Sequence, residues 1–315
     1  MGVKAIRPLL IEGPAALWDK VTKFFVLRKK YADPKIKKNN AVPSQETSDQ
    51  RNVSVHSPAN GLILVYQMGR VGSRSIVASL DHYYPSDHVV HGHYLSSFEK
   101  LEKRVKADLA DTTNFMSDLK MVDERVRKAM REMPQNQRLK IISLVRDPVA
   151  RNVSTFFFAL SEFVPGWEAM ISNDMLTPDD LHAIFVSKRT YVLSAFNWFD
   201  EQIKPVFGID VYSTPFPKEK GYKIHSASNV DLLLLRLENL DQCAKIAFRE
   251  FLDIEDFELT KVNVGEERTA GDLYRLFKTK PLPQEYVQWT YQTKLARHFY
   301  TEAELDAFTK RWTMS

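Results

Sequence analysis

The chain of 315 residues holds a single cysteine, Cys243. It can form no internal disulfide, and no Cys/His spacing of the zinc-site type occurs. These absences predict a reducing compartment and no metal centre. No apolar run approaches the roughly 18 to 20 residues of a membrane span, and the PLLI stretch near the N-terminus is too short for the apolar core of a signal peptide. A cytoplasmic protein without a transmembrane segment is expected. There is no internal repeat and no low-complexity tract. What remains is an ordinary globular composition, 44% hydrophobic and 27% charged, in a chain long enough to bury a large core.

The net charge of +4 is unevenly spread: residues 1–51 hold 11 Lys/Arg and 5 Asp/Glu, so the rest of the chain carries a small negative excess. The segment RKKYADPKIKK offers charge to nucleic acid or an anionic surface, but the favoured reading is a solvated basic arm. It is assigned no chemistry, and no nucleic-acid partner is expected. Leu17, Val21, Phe24 and Phe25 recur at helical spacing within residues 14–31, and the Pro-, Asn-, Ser- and Lys-rich stretch 33–60 reads as a linker. The expected division is therefore a basic helix and linker over 1–59 and a catalytic domain over 60–315.

Within that domain, apolar runs and helical patterns alternate. GLILVY, HVVHGHYL and LKIISLV (139–145) read as strands, as do GIDVYS and DLLLLRL (231–237). SRSIVASLDHYY, residues 96–133 and PVARNVSTFFFAL read as helices, the last with proline in its first turn. TPDD opens a helix expected to run to about Ile203, the chain beyond Leu240 is mostly helical, and TEAEL (301–305) is a capping box for a last helix ending near Trp312. This alternation predicts an α/β fold: a central parallel sheet with helices on both faces and a helical C-terminal part.

Two strand-to-helix junctions carry chemistry. Residues 67–76, QMGRVGSRSI, leave the first strand through a glycine loop, a geometry that offers backbone N–H groups to an anion. The loop is not a Walker A sequence, because two residues rather than four separate Gly69 and Gly72 and no Lys-Ser/Thr pair follows. It also lacks the G-x-G-x-x-G spacing of a dinucleotide site. At the second junction, Arg146 ends LKIISLV and Ser154 follows eight residues later in RDPVARNVS. In an open parallel sheet that edge is where ligands bind, and an arginine fork with a nearby hydroxyl suits a phosphate.

Together the two motifs resemble those of sulfotransferases that use 3′-phosphoadenosine 5′-phosphosulfate. The first stands where that family has its 5′-phosphosulfate loop, and the second where it has its 3′-phosphate motif, with serine eight residues after arginine. Many members carry lysine where this chain has Arg70. The resemblance covers roughly residues 60–250 and implies a P-loop-type sheet. It further implies a nucleotide held by Gly69, Arg70, Val71, Gly72, Ser73, Arg74, Ser75, Arg146 and Ser154, and an in-line displacement in which Arg70 and the loop N–H groups meet the charge growing on the sulfuryl and leaving-group oxygens.

HGH at 91–93 resembles the motif of the uronosyl 2-O-sulfotransferases, where histidines act at the acceptor hydroxyl. Period-2 geometry puts His91 and His93 on one strand face, with Gly92 leaving room between them. A neutral imidazole can take a proton from a hydroxyl near neutral pH, so both histidines are candidate bases beside Arg70. The stretch from Asn197 to His225 resembles a bacterial group of sulfotransferase-like capsular polysaccharide synthesis proteins. Residues 263–278 fall where the family folds a loop over the nucleotide, which makes Arg268 a further candidate for the 3′-phosphate. The expected acceptor is a hydroxyl of a saccharide or a small metabolite. A nucleotide-binding protein or P-loop kinase without sulfuryl transfer is the alternative.

Overall fold

The computed structural model describes residues 62–96, 113–134, 137–187, 195–262 and 270–314. The expected N-terminal helix and linker, the boundary at residue 60 and Arg268 lie outside them. In chain order the elements are β1 (Ile63–Tyr66), α1 (Ser73–Leu80), β2 (Val89–Gly92), α2 (Thr113–Glu132), β3 (Leu139–Val145), α3 (Pro148–Phe158), α4 (Leu160–Phe163), α5 (Trp167–Ser172) and α6 (Pro178–Ser187). A π-helical turn (Phe199–Ile203) leads directly into α7 (Lys204–Phe207). There follow β4 (Tyr222–Ala227), β5 (Val230–Arg236), a 3-10 turn (Leu237–Asn239), α8 (Leu240–Leu252), α9 (Gly271–Lys278), α10 (Gln284–Tyr291), α11 (Lys294–Phe299) and α12 (Glu302–Thr313).

The five strands form one sheet in the order β2-β1-β3-β5-β4. β1 pairs in parallel with β2 and with β3, β3 pairs in parallel with β5, and β4 alone runs antiparallel. Every residue of β1 and β5 is buried, which for strands with alternating side chains means that both sheet faces are covered. Because the chain steps from β1 outward to β2 and then back across to β3, right-handed crossovers put α1 and α2 on opposite faces. The α/β fold with helices on both faces is thus present, with one antiparallel edge strand.

Local chemistry sets the ends of the helices. Asp147 caps α3 by accepting from Val149 N at 3.0 Å, with Pro148 at the first helical position. Thr177 and Asp180 bond reciprocally ahead of α6, and Thr301 with Glu304 forms the expected capping box.

Two expectations are corrected. GIDVYS is not a strand: Asp210 accepts from Tyr212 N at 3.0 Å through its carboxylate and from Ser213 N at 3.2 Å through its carbonyl, an Asx-type turn that competes with extended pairing. The strand lies further on, at Tyr222–Ala227, joined to β5 through Ser228 at φ 45°. Nor does α6 run on to Ile203. Its described part is Pro178–Ser187, residues 195–197 form a turn before Ile203 is reached, and the following π-helical turn and α7 stop at Gly208, φ 71°.

At the other end of β5, Asp231 ties three strands together. It is paired in register with Lys140 of β3 and Ser226 of β4. Its carboxylate accepts from Arg138 Nη2 (2.7 Å) and Nε (2.8 Å), Lys140 Nζ (3.0 Å) and Ser226 Oγ (2.7 Å). The hydrogen bonds from Arg138 hold it well below the usual carboxylate range. A depressed carboxyl contributes stability above its unfolded pKa and loses it as pH falls. Asp231→Asn is therefore expected to cost about 1–3 kcal/mol at pH 7. In denaturant titrations the gap from wild type should narrow as pH falls below about 4; a gap constant with pH would contradict the account.

Candidate functional site

β1, β2 and β3 all point their carboxyl ends to one edge of the sheet. The connection from β1 goes one way and that from β3 the other, so the loops after these two strands meet at the switch point of the sheet, where such folds bind ligands. Both sequence motifs lie there.

In the first loop two residues take the left-handed backbone region, Arg70 at φ 75° and Gly72 at φ 89°. Gly72 is needed for that conformation and for space, since a Cβ there would stand 2.7 Å from Leu237 Cδ1. Gly69 has nothing within 4 Å of the corresponding position. The loop carbonyls are held from the second motif. Arg146 Nη1 donates to Arg70 O at 3.2 Å, and the buried Arg151 donates through Nε to Gly69 O at 3.1 Å. The Arg70 side chain reaches the other way, with Nε and Nη2 each 3.2 Å from Ser154 Oγ and its guanidinium 4.8 Å from the ring centroid of the exposed Phe158.

α1 then starts at Ser73 without a side-chain cap. The predicted loop residues divide by role here. Ser73 is buried and its Oγ lies 3.1 Å from His91 Nε2, Val71 is part of the core, and Arg74 is exposed. Ser75 serves the scaffold: its Oγ accepts from Val262 N at 3.2 Å, Ser79 Oγ accepts from Thr260 N at 2.8 Å, and Tyr83 OH accepts from Glu258 N at 2.9 Å. Spaced four residues apart along α1 and the turn that follows it, these three side chains strap the segment 256–262 along the helix.

His91 and His93 share a face as expected, with ring centroids 4.8 Å apart and nearly perpendicular planes. Gly92 does not make room between them. Its side-chain position faces Val122 Cγ1 at 3.1 Å and Tyr66 Cδ2 at 3.7 Å, because successive residues of a strand point to opposite faces. The two imidazoles also differ. His91 Nε2 is engaged by Gln67 Nε2 at 3.0 Å as well as by Ser73 Oγ. Burial, then His93 and Arg74, lower its pKa to about 3. His93 Nδ1 lies 2.8 Å from Gln67 O; a carbonyl only accepts, so Nδ1 carries the proton and Nε2 holds the lone pair. Burial, with Arg151, Arg70 and Arg74 adding to it, pushes the His93 pKa down and keeps the ring neutral.

Behind the loop after β1 stand two carboxyl groups. Asp147 accepts from Tyr291 OH (2.9 Å) and Trp312 Nε1 (3.1 Å), and Glu238 from Asp147 N (2.6 Å) and Tyr300 OH (3.0 Å). The desolvated Asp147 carboxyl has its pKa raised, and Glu238 is raised by desolvation and by the neighbouring Asp147. The C-terminal helices are thereby fastened to the edge that carries Arg146. Sequence reasoning assigned no role to Gln67, Asp147 or Arg151, although all three lie within or beside the quoted motifs. A charged residue in the first turn of α3 was the available signal for Arg151. Among the described residues no group of three or more His, Cys, Asp or Glu is arranged to hold a metal ion, and no helix is long and apolar enough to cross a membrane.

The two loop glycines separate in their demands. Gly72→Ala should lower stability by about 1–3 kcal/mol, read as a fall in Tm, from left-handed strain and the contact with Leu237. Gly69→Ala should leave Tm unchanged, and equal effects of the two would remove the distinction.

The comparisons with known proteins address a different part of the chain. A family model described as "Putative capsular polysaccharide synthesis protein" (NKWYS) matches residues 171–301. The match runs from the end of α5 to the N-cap of α12, so it takes in the π-helical turn, β4 and β5 but neither of the loops after β1 and β3. No curated protein and no solved structure matches the chain. Over those residues the chain is similar to that family, whose description concerns polysaccharide synthesis and names no reaction.

Proposed function

We propose that the protein transfers a sulfuryl group from 3′-phosphoadenosine 5′-phosphosulfate to a hydroxyl of a saccharide, most directly of a polysaccharide. The observation that carries this reading is the junction of two distant motifs at one sheet edge. Arg70 bonds to Ser154, and Arg146 holds the carbonyl of Arg70. Three arginines and the head of α1 make that edge an anion site, and the similarity over residues 171–301 supports a polysaccharide acceptor.

Each residue then has a task. Arg146, Ser154 and the Arg70 guanidinium take the 3′-phosphate, and Ser73 with the first N–H groups of α1 faces the 5′ side, where charge develops as the leaving oxygen departs. The donor, when bound, supplies an activated sulfur whose bond to the phosphate oxygen breaks as the bond to the acceptor oxygen forms. His93 Nε2 receives the acceptor proton, its tautomer fixed by Gln67 O. His91, with Nε2 already engaged by Gln67 and Ser73, orients the loop.

Calorimetry with two nucleotides tests donor recognition. 3′-Phosphoadenosine 5′-phosphate should bind at least about tenfold more tightly than AMP, since each charge-assisted hydrogen bond contributes roughly 1.5–3 kcal/mol. Arg146→Ala should remove the preference by weakening the 3′-phosphorylated ligand; equal affinities in the wild type would overturn the reading.

The base is tested with a sulfur-35-labelled donor and a capsular polysaccharide fraction. His93→Gln should lower transfer about 10²–10⁴-fold with nucleotide affinity retained, and His91→Gln should lower it less. The reverse order would assign the base to His91. Because the His93 pKa is lowered, the acid fall in rate should lie below the ordinary histidine value of 6.5.

A further inference from the structure

β2 is an edge strand that ends at Gly92, so residues 93–96 continue past the sheet, and among the described residues no strand lies beside them. Their main-chain groups are bonded instead by a carboxamide from the π-helical turn and an indole from the residue just before it. Gln202, 1% exposed, accepts through Oε1 from Leu95 N (2.9 Å), Ser96 N (3.1 Å) and Tyr66 OH (2.7 Å), and donates through Nε2 to Ser96 O (2.9 Å). Trp198 Nε1 donates to His93 O at 2.8 Å. A side-chain amide offers the acceptor and donor of a peptide group, so Gln202 acts as one residue of a missing neighbouring strand.

The π-helical turn allows this. Pro205 has no N–H to give to Glu201 O, and Ser96 Oγ donates to that carbonyl at 2.5 Å. Extra-wide turns of this kind concentrate at functional sites. All three partners, Trp198, Glu201 and Gln202, lie in the segment that matches the polysaccharide family, whereas the histidines they hold lie outside it.

We propose that Gln202 and Trp198 are positioning residues that set where the His93 imidazole stands relative to the anion loop. The inference rests on the sulfuryl-transfer reading for its kinetic consequences, though not for its geometric one. Neither side chain belongs to the nucleotide motifs, so the clamp acts on turnover and leaves donor binding alone. Displacing a base by about 1 Å costs on the order of 10²-fold in rate.

Gln202→Leu, which leaves the bonded groups of residues 95–96 unpaired, should lower transfer of sulfur-35 label to the polysaccharide fraction about 100-fold. The affinity for 3′-phosphoadenosine 5′-phosphate should stay within about twofold of wild type. Gln202→Glu is the diagnostic variant. A protonated carboxyl can still donate to Ser96 O and accept from the N–H groups, whereas a carboxylate cannot donate. Its rate should approach wild type at low pH and fall as pH rises, adding a limb to the pH profile that the wild type lacks. If Gln202→Leu does not fold, Trp198→Phe, which loses the N–H to His93 O and part of a buried ring, should lower turnover about tenfold at unchanged nucleotide affinity.

Nitrogen-15 spectra of the His93 ring read the clamp without any substrate. The wild type should show the Nδ1–H tautomer and the clamp variants a mixture. Wild-type turnover and an unchanged His93 spectrum in folded variants would overturn the proposal, as would parallel loss of nucleotide affinity and turnover. A wild-type protein that shows the tautomer and its loss in the variants, yet transfers no sulfuryl group, would sink the functional reading and leave the clamp standing.

Discussion

The site depends on β1 lying between β2 and β3 with all three strands parallel. Register pairs Val65 with His91 and with Ile142, and the next residues on each strand lead to the edge where Gln67, His93 and Arg146 emerge. A shift of one residue in either pairing would turn the alternate side chains over and send His91 and His93 to the other face. The burial of β1, β3 and β5 on both faces fixes that register, because any slip would have to move apolar side chains out of a closed core.

On this frame the loop is shaped by charge. Main-chain carbonyls of Gly69 and Arg70 are taken up by Arg151 and Arg146, so an arginine-rich second motif builds the conformation of the first. Burial, and then Arg151 with Arg70 and Arg74, lowers the His93 pKa, and burial leads the shift at His91. The positive field suits an anionic ligand and adds to the burial that keeps the adjacent imidazoles neutral, the form in which a ring nitrogen can accept a proton. The carboxyl groups of Asp147 and Glu238 sit close behind this field and are satisfied by Tyr291, Trp312 and Tyr300 from the C-terminal helices.

The segment similar to the polysaccharide family enters this arrangement from the side. Trp198 and Gln202 reach the histidine segment, while the 3-10 turn after β5 supplies Leu237, the neighbour that makes Gly72 obligatory. The matched region therefore supports both loops without contributing either one. That is physically reasonable in a parallel sheet, where the side chains that hold a ligand come from several loops and the packing that orients them comes from elements far away in sequence.

The amino-acid sequence by itself determined what local rules can carry. The apolar runs at 63–66, 139–145 and 231–237 could only be buried strands, Asp147-Pro148 and Thr301-Glu304 could only begin helices, and the alternation of histidines put both rings on one face. It also placed Arg146 and Ser154 at the end of one strand and the start of the next helix. Short-range pattern failed where turn chemistry or pairing overruled it: Asp210 closed a turn in an apolar-alternating stretch, and β4 exists because β5 stands beside it. Only the tertiary structure decided that Arg70 lies on Ser154, 84 residues away, and that Gln67 O fixes the proton of His93. It alone put Gln202 in the place of a missing strand. Each of these is a hydrogen bond between groups distant in the chain, whose geometry depends on how helices and sheet pack, and no spacing within a single segment encodes it.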